Sequence, residues 1–130
     1  MAFAEPTPTG AGAAGGAVHG FGAVNVTPRS KLVSLPEAAA LVQDGDHVTI
    51  GGVMLHRIPA AFVRELARQG RRRLRLSKPS PSYDLDLLCA AGCLAEVDAG
   101  VASLESAFGG ALPSYRRAVE AGLVRVREFS

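Results

Sequence analysis

Four helix-like and four strand-like segments alternate between residues 31 and 130, and this alternation constrains the fold more than any other feature of the sequence. Each strand-like segment is short and rich in aliphatic residues, and one helix-like segment separates it from the next. Such alternation with short connections favours a mostly parallel sheet with flanking helices. We therefore predict an α/β domain over residues 31–130. Four strands are either one half of a larger domain or need a partner to cover them.

Local signals mark the ends of these segments. Ser34 lies three residues before Glu37, which is the spacing of a capping box, and predicts a helix over residues 34–43. Pro59 and Gly70 bracket the second helix. The third helix is predicted over residues 84–91 with Asp84 as its cap, the fourth over residues 112–121, and the strands over residues 47–51, 73–77, 93–103 and 123–129.

Composition argues against several classes of protein. The net charge of +2 is too small to indicate nucleic acid or a membrane surface as a partner. The sequence also has no apolar run of about 20 residues that could span a membrane, and its start does not resemble a signal peptide. Cys89 and Cys93 lack a second pair and a histidine cluster, so we interpret them as core residues rather than a metal site or disulfide. We expect a cytoplasmic protein without a bound metal.

Residues 1–30 are rich in Gly, Ala, Pro and Thr and show no periodicity. They contain almost no charge and few large apolar groups that could be buried. We predict a disordered leader for this segment.

The pair Gly51-Gly52 follows a predicted strand and precedes a helix that begins near Pro59. Ligands of open parallel sheets bind beyond the carboxyl ends of the strands. A glycine pair there lets a ligand approach the backbone N–H groups, which can then stabilise an anion or oxyanion. The alternative is that the two glycines only permit a tight exit from the strand. The segment matches neither nucleotide-binding glycine pattern.

Charged side chains near this pair have both a functional and a structural interpretation. Arg57 could bind a carboxylate or phosphate and His56 could act as an acid or base, or both could be solvated loop residues. The basic cluster of residues 71–75 with Lys78 is either a solvated face or a phosphate contact. In the loop after the third strand, Glu105 could be a nucleophile or base if it is partly buried, or the loop could be merely flexible and polar.

Three stretches in order resemble the α subunits of family I CoA-transferases, especially the glutaconate CoA-transferase type. They are "DGDHVTIGGVMLHRIPAAFVRELARQG", "YDLDLLCAAGCLAEV" and "SYRRAVEAGLVRVREFS", and the resemblance covers the N-terminal portion of such a subunit over residues 31–130. It implies transfer of CoA from an acyl-CoA to a carboxylic acid. It also implies a β subunit that supplies the nucleophilic glutamate.

The resemblance implies roles for four residues. Gly51 and Gly52 would donate backbone N–H groups to a thioester oxyanion, and Arg57 and Ser106 would contact the substrate. The coenzyme A thioester would be a substrate, and no cofactor would be bound permanently. Two alternatives remain: a non-catalytic acyl-CoA-binding or assembly module, and a component of a CoA-thioester hydrolase on the same scaffold.

Overall fold

The structure is a computed structural model and describes residues 30–129. The predicted leader therefore lies outside the described residues, apart from Ser30. The elements follow in the order α1 (Leu35–Ala40), β1 (His47–Thr49), α2 (Ala60–Arg68), β2 (Leu74–Ser77), α3 (Tyr83–Ala90), β3 (Leu94–Ala99), a short 3-10 helix (Ser106–Phe108), α4 (Pro113–Glu120) and β4 (Arg125–Glu128).

The four strands form one parallel sheet in the order β1-β2-β3-β4. The predicted α/β class with a parallel sheet is thus confirmed. One register shift occurs between β2 and β3, where Leu74 pairs with Leu94 but Arg75 pairs with Glu96. Ala95 is the extra residue of this bulge, and the side chains after it alternate regularly between the two faces of the sheet.

The capping box predicted at the start of α1 is confirmed. The Ser34 hydroxyl accepts the N–H of Glu37, whose carboxylate in turn accepts the N–H of Ser34 at 2.8 Å. Helix α1 ends at Ala40, three residues earlier than predicted, because the Asp46 carboxylate accepts the N–H of Gln43 at 2.7 Å and draws the chain into a turn.

The helices form a single layer on one face of the sheet. Successive strands are neighbours, so right-handed connections place their helices on the same side, and each helix contacts the next one along the chain. Leu66 of α2 and Leu85 and Leu88 of α3 are fully buried against Leu76 and Val97 of the sheet. Each such side chain contributes about 1.5–3 kcal/mol by leaving water, so this face is the hydrophobic core.

The opposite face of the sheet is polar. Neighbouring strands here pair charged side chains. The Arg75 guanidinium lies 2.6 Å from the Asp98 carboxylate, and Arg125 and Arg127 lie 2.6 and 2.5 Å from that of Glu96. Asp98 is only 3% exposed, although no helix among residues 30–129 covers this face. Ion pairs compensate the charges of this face in place of an apolar core, although Asp98 Oδ1 is buried and has no hydrogen-bond partner among the described residues.

Candidate active site

Three loops meet at the carboxyl ends of β1, β2 and β3. Two of them carry the four residues to which the resemblance assigns roles, Gly51, Gly52, Arg57 and Ser106. The three loops are residues 50–59 after β1 (the glycine loop), residues 78–82 after β2 (the proline turn) and residues 100–112 after β3 (the serine loop). Because the strands are parallel, their carboxyl ends lie along the same edge of the sheet.

A tight reverse turn forms the glycine loop. Val53 and His56 exchange two backbone hydrogen bonds, of 3.0 and 2.8 Å. Met54 and Arg57 have φ angles of 48° and 57°, in the left-handed region that most side chains avoid. Such conformations persist where the surrounding structure fixes them, and they are concentrated at ligand sites.

The two adjacent glycines have different roles in this turn. Gly52 has a φ of +89°, and a Cβ there would lie 2.5 Å from the His56 carbonyl oxygen and 2.8 Å from that of Arg57. The turn therefore requires glycine at this position. Gly51 is exposed, and a Cβ there would meet nothing within 4 Å. The turn alone therefore explains Gly52 but not Gly51.

The backbone N–H groups of Gly51 and Gly52 are available to a ligand as far as residues 30–129 are concerned. Neither donates to an acceptor within that range, whereas Val53 and Met54, which follow directly, both donate to carbonyl oxygens. Two adjacent backbone N–H groups without an acceptor, at the end of a strand, are candidates for the donors of an oxyanion site.

A contact between side chains joins the glycine loop to the serine loop. His56 Nε2 lies 3.0 Å from Glu105 Oε1, and the Glu105 side chain is 33% exposed while that of His56 is 74% exposed. Arg57 follows His56 and Ser106 follows Glu105, and both are exposed. The structure thus brings the loops of the predicted substrate contacts together.

The proline turn supports both loops through its main chain. The carbonyl oxygen of Ser80 accepts the N–H of Met54 in the glycine loop at 3.0 Å. That of Pro79 accepts the N–H groups of Gly100 and Val101 in the serine loop, each at 3.0 Å. The relative position of the two loops therefore depends on this turn.

Sequence reasoning missed the ion pair beneath the turn. The sequence placed Lys78 in a basic cluster that was either a solvated face or a phosphate contact, and Asp84 at the cap of α3. Both side chains are instead fully buried, and Lys78 Nζ lies 2.6 Å from Asp84 Oδ2. The N-cap position belongs to Ser82 instead. A signal was present: Lys78 continues the period-2 pattern of the buried residues Leu74 and Leu76.

A cavity of about 510 Å³ opens beside these loops at the carboxyl ends of β1 to β3. Its volume suits a small organic ligand. Gly51, Gly52, Arg57 and Ser106 do not line it, so the cavity is a neighbour of the predicted site rather than part of it. The residues that line it are Thr49, Ser77, Lys78, Pro79, Asp98, Gly100 and Phe129.

Metal ligation and thiol chemistry find no support in the described part of the chain. No group of three or more His, Cys, Asp or Glu side chains there is arranged to hold a metal ion. Cys89 and Cys93 are buried in the core, as the sequence predicted. Burial raises the pKa of Cys89 to about 12, so this thiol is a poor nucleophile. No helix among residues 30–129 has the length and apolar character needed to cross a membrane.

Two curated proteins are similar to this chain. One component of a 3-oxoadipate CoA-transferase from Pseudomonas knackmussii is 42% identical over 65 residues, which are 49% of this chain and 23% of that protein. The cholesterol ring-cleaving hydrolase IpdA subunit from Rhodococcus jostii is 36% identical over 105 residues, 80% of this chain and 34% of that protein. The chain therefore spans about a third or less of the length of these relatives.

Two solved structures resemble the fold. A variant of the decarboxylase AibA/AibB superposes with a TM-score of 0.70 at 38% identity, covering 75% of this chain and 38% of that one. Glutaconate coenzyme A-transferase from Acidaminococcus fermentans superposes with a TM-score of 0.72 at 29% identity, covering 78% and 32%. The pattern of the Coenzyme A transferase family matches residues 32–129, so the chain belongs to that family.

Proposed function

We propose that this chain is an α-subunit-like component of an enzyme that transfers CoA from an acyl-CoA to a carboxylic acid. The proposal rests on the backbone N–H groups of Gly51 and Gly52, which have no acceptor among residues 30–129. They lie at the carboxyl end of a parallel strand, within the residues that match the family. In this proposal, the CoA thioester is a substrate and no cofactor is bound permanently. Nucleic acid and membranes have no part in it.

The proposed chemistry begins when a glutamate carboxylate attacks the thioester carbonyl. Negative charge then develops on the carbonyl oxygen, and the N–H groups of Gly51 and Gly52 stabilise it. Preorganised donors of this kind contribute to turnover because they cost no reorganisation as the charge forms. Collapse of this intermediate expels the CoA thiolate and leaves an anhydride between the acyl group and the glutamate. The thiolate then attacks the glutamyl carbonyl, which releases the acyl group as a free carboxylate and leaves CoA on the glutamate as a thioester. The acceptor carboxylate takes up CoA by the same steps in reverse, and we assign the glutamate to a β subunit.

Arg57 and Ser106 are the proposed substrate contacts. Arg57 is exposed beside the glycine pair, and its guanidinium can bind a carboxylate through two parallel hydrogen bonds. Ser106 is exposed on the facing loop, and its hydroxyl can donate to or accept from a substrate. The contact between His56 and Glu105 supports a shared role because it holds the loops of these two residues together.

Substitution of Gly51 tests the oxyanion role. Alanine and then valine at this position place bulk over the N–H groups without a clash inside the turn. We expect CoA transfer, measured with a β-type partner, to fall about 100-fold for Gly51→Val and less for Gly51→Ala. Ala40→Val, which adds bulk at an exposed position on α1, is the control. Wild-type turnover in a folded Gly51→Val complex would remove the oxyanion role.

Hydrolysis of a CoA thioester is the second candidate, and the position of Glu105 favours it. This carboxylate is two-thirds buried and lies 3.0 Å from the His56 imidazole, in the site itself. A carboxylate oriented in this way can accept a proton from water, which then attacks the carbonyl carbon. This route needs no nucleophile from a partner. One of the similar proteins is a hydrolase subunit.

A pair of carboxyl-to-amide substitutions separates the two reactions. If the chain serves hydrolysis, Glu105→Gln abolishes the release of CoA to water. If it serves transfer, Glu105→Gln retains most of the transfer to a carboxylic acid, which is instead abolished by replacing the nucleophilic glutamate of the β subunit. Glu120→Gln, which removes an exposed carboxylate that pairs with Arg116 on α4, is the matched control. A complex that neither transfers nor hydrolyses contradicts both proposals.

A further inference from the structure

The ion pair between Lys78 and Asp84 is the most completely buried charged contact among the described residues. Both side chains have no exposed surface, and Lys78 Nζ lies 2.6 Å from Asp84 Oδ2. The second carboxylate oxygen, Oδ1, accepts the N–H of Ser82 at 2.9 Å and that of Leu85 at 3.1 Å. One carboxylate therefore fixes the end of β2, the last residue of the proline turn and the first turn of α3.

Burying this ion pair costs free energy of desolvation, so stability alone is a weak explanation for it. A buried ion pair loses the hydration of both charges, and apolar residues of similar size often stabilise a fold equally well. Compared with apolar packing, an ion pair fixes the orientation of the groups around it, because its hydrogen bonds are satisfied in only one arrangement. Here the ion pair fixes the backbone conformation of the proline turn.

The proline turn is bonded to both loops through its main-chain carbonyl oxygens, so its conformation affects their positions. Pro79 and Pro81 have no N–H groups and restricted φ angles, so the turn presents carbonyl oxygens from a stiff backbone. The oxygen of Ser80 holds the glycine loop through Met54, and that of Pro79 holds the serine loop through Gly100 and Val101. The oxygen of Pro81 accepts a further N–H of the serine loop, from Ser103 at 3.4 Å.

We propose that the buried pair Lys78–Asp84 is the positioning element of the site and sets the glycine loop and the serine loop relative to each other. Neither side chain acts on the reacting atoms in this role. They act through the carbonyl oxygens of the proline turn, which keep the N–H groups of Gly51 and Gly52 and the side chain of Glu105 at a fixed separation.

Amide hydrogen exchange of the full chain tests this role without any assay of activity, so its outcome is separate from that of the proposed function. The informative variant is Lys78→Met with Asp84→Asn. It removes both charges together and keeps the oxygen that accepts the N–H groups of Ser82 and Leu85. Lys78→Met alone would leave a buried carboxylate without its cation and is expected to unfold the chain.

We expect the double variant to lose protection about ten-fold or more at the amides of Met54, Gly100, Val101 and Ser103, while the amides of β2 and β3 exchange as in the wild type. The control is Glu65→Gln with Arg68→Met, which removes both charges of an ion pair between two residues of α2. Its loop amides should keep wild-type protection.

Two results would overturn the proposal. If the four loop amides of the Lys78→Met/Asp84→Asn variant exchange at the wild-type rate, the pair does not position the loops. If protection falls by the same factor throughout the sheet, or the chain unfolds, the pair stabilises the whole domain and has no particular role at the site.

Discussion

The two faces of the sheet reach stability in different ways. One face packs aliphatic side chains under a layer of helices, with Leu74, Leu76 and Val97 fully buried. The other pairs arginines with Glu96 and Asp98 across neighbouring strands and has no helix above it within residues 30–129. The first depends on the removal of apolar surface from water, the second on matched charge. The difference teaches that, within residues 30–129, the helix-covered face depends on its aliphatic core and the other face on contacts between opposite charges.

The largest expected effect lies on the apolar face. Leu76→Ala opens a cavity in the centre of the sheet and should lower the free energy of unfolding by about 2–5 kcal/mol. Urea denaturation followed by circular dichroism measures this loss. The matched variant Ser77→Ala changes the next residue of β2, on the polar face. An equal loss for both variants would mean that the two faces do not differ as described.

A smaller effect is expected on the polar face. Asp98→Asn keeps the shape of the side chain but removes the charge that pairs with Arg75, which should cost about 1–3 kcal/mol. The same denaturation experiment measures it. A value above that for Leu76→Ala would make the ion pairs, rather than the core, the main source of stability.

Acid should weaken the polar face selectively. Burial alone would raise the pKa of Asp98, but the Ser77 hydroxyl and Arg75 outweigh it and lower that pKa. Arg125 lowers the pKa of Glu96, with Arg127 and Arg75 adding to the effect. Both pKa values are lower in the folded state than in the unfolded state. Their stabilisation is therefore complete above the unfolded values and is lost as the pH falls through the folded ones.

The measurement compares urea midpoints at about pH 7 and about pH 3. The midpoint of the wild type should fall more between these conditions than that of Glu96→Gln with Asp98→Asn. Glu65 on α2, whose pKa Arg68 lowers to about 2, contributes equally to both proteins. Equal falls for the two proteins would show that the polar face does not respond to protonation.

The smallest effect is expected at the rim of the polar face. Arg127 is half-exposed and shares Glu96 with Arg125 and Arg75. Solvent and salt screen such a contact, and its partner keeps two other arginines. Arg127→Met should therefore change the urea midpoint least among these variants, and the change should shrink further in high salt. A loss as large as that of Asp98→Asn would mean that the arginines act as a cooperative network.

Much of the fold could be predicted because its signals are local. The capping box at Ser34 and the alternation of Leu74 and Leu76 each depend on a few neighbouring residues. They predicted the start of α1 and both ends of β2 closely. The site was harder because its contacts join distant residues. His56 and Glu105 are 49 positions apart in the sequence, and they meet only because the conformations of the glycine loop and the serine loop bring them together.

The glycine pair shows the same limit on a smaller scale. Gly51 and Gly52 are equivalent as letters, but only Gly52 has the positive φ and the crowding that exclude a side chain. The sequence therefore predicted the position of the turn. It did not show that the turn requires glycine at Gly52 and has room for a side chain at Gly51. Lys78 was missed because its charge outweighed its position in the alternating pattern.

The order of the strands has a consequence for how the chain folds. Each strand pairs with the next one along the sequence, so every pairing within the sheet closes a short loop with one α-helix and its connections. Closing short loops costs little entropy, and topologies dominated by such contacts fold faster than those that pair distant segments. Folding can therefore begin in one β-α-β unit, such as β2-α3-β3, and spread to its neighbours. In refolding experiments this part of the sheet would acquire protection first and the outer strands β1 and β4 last.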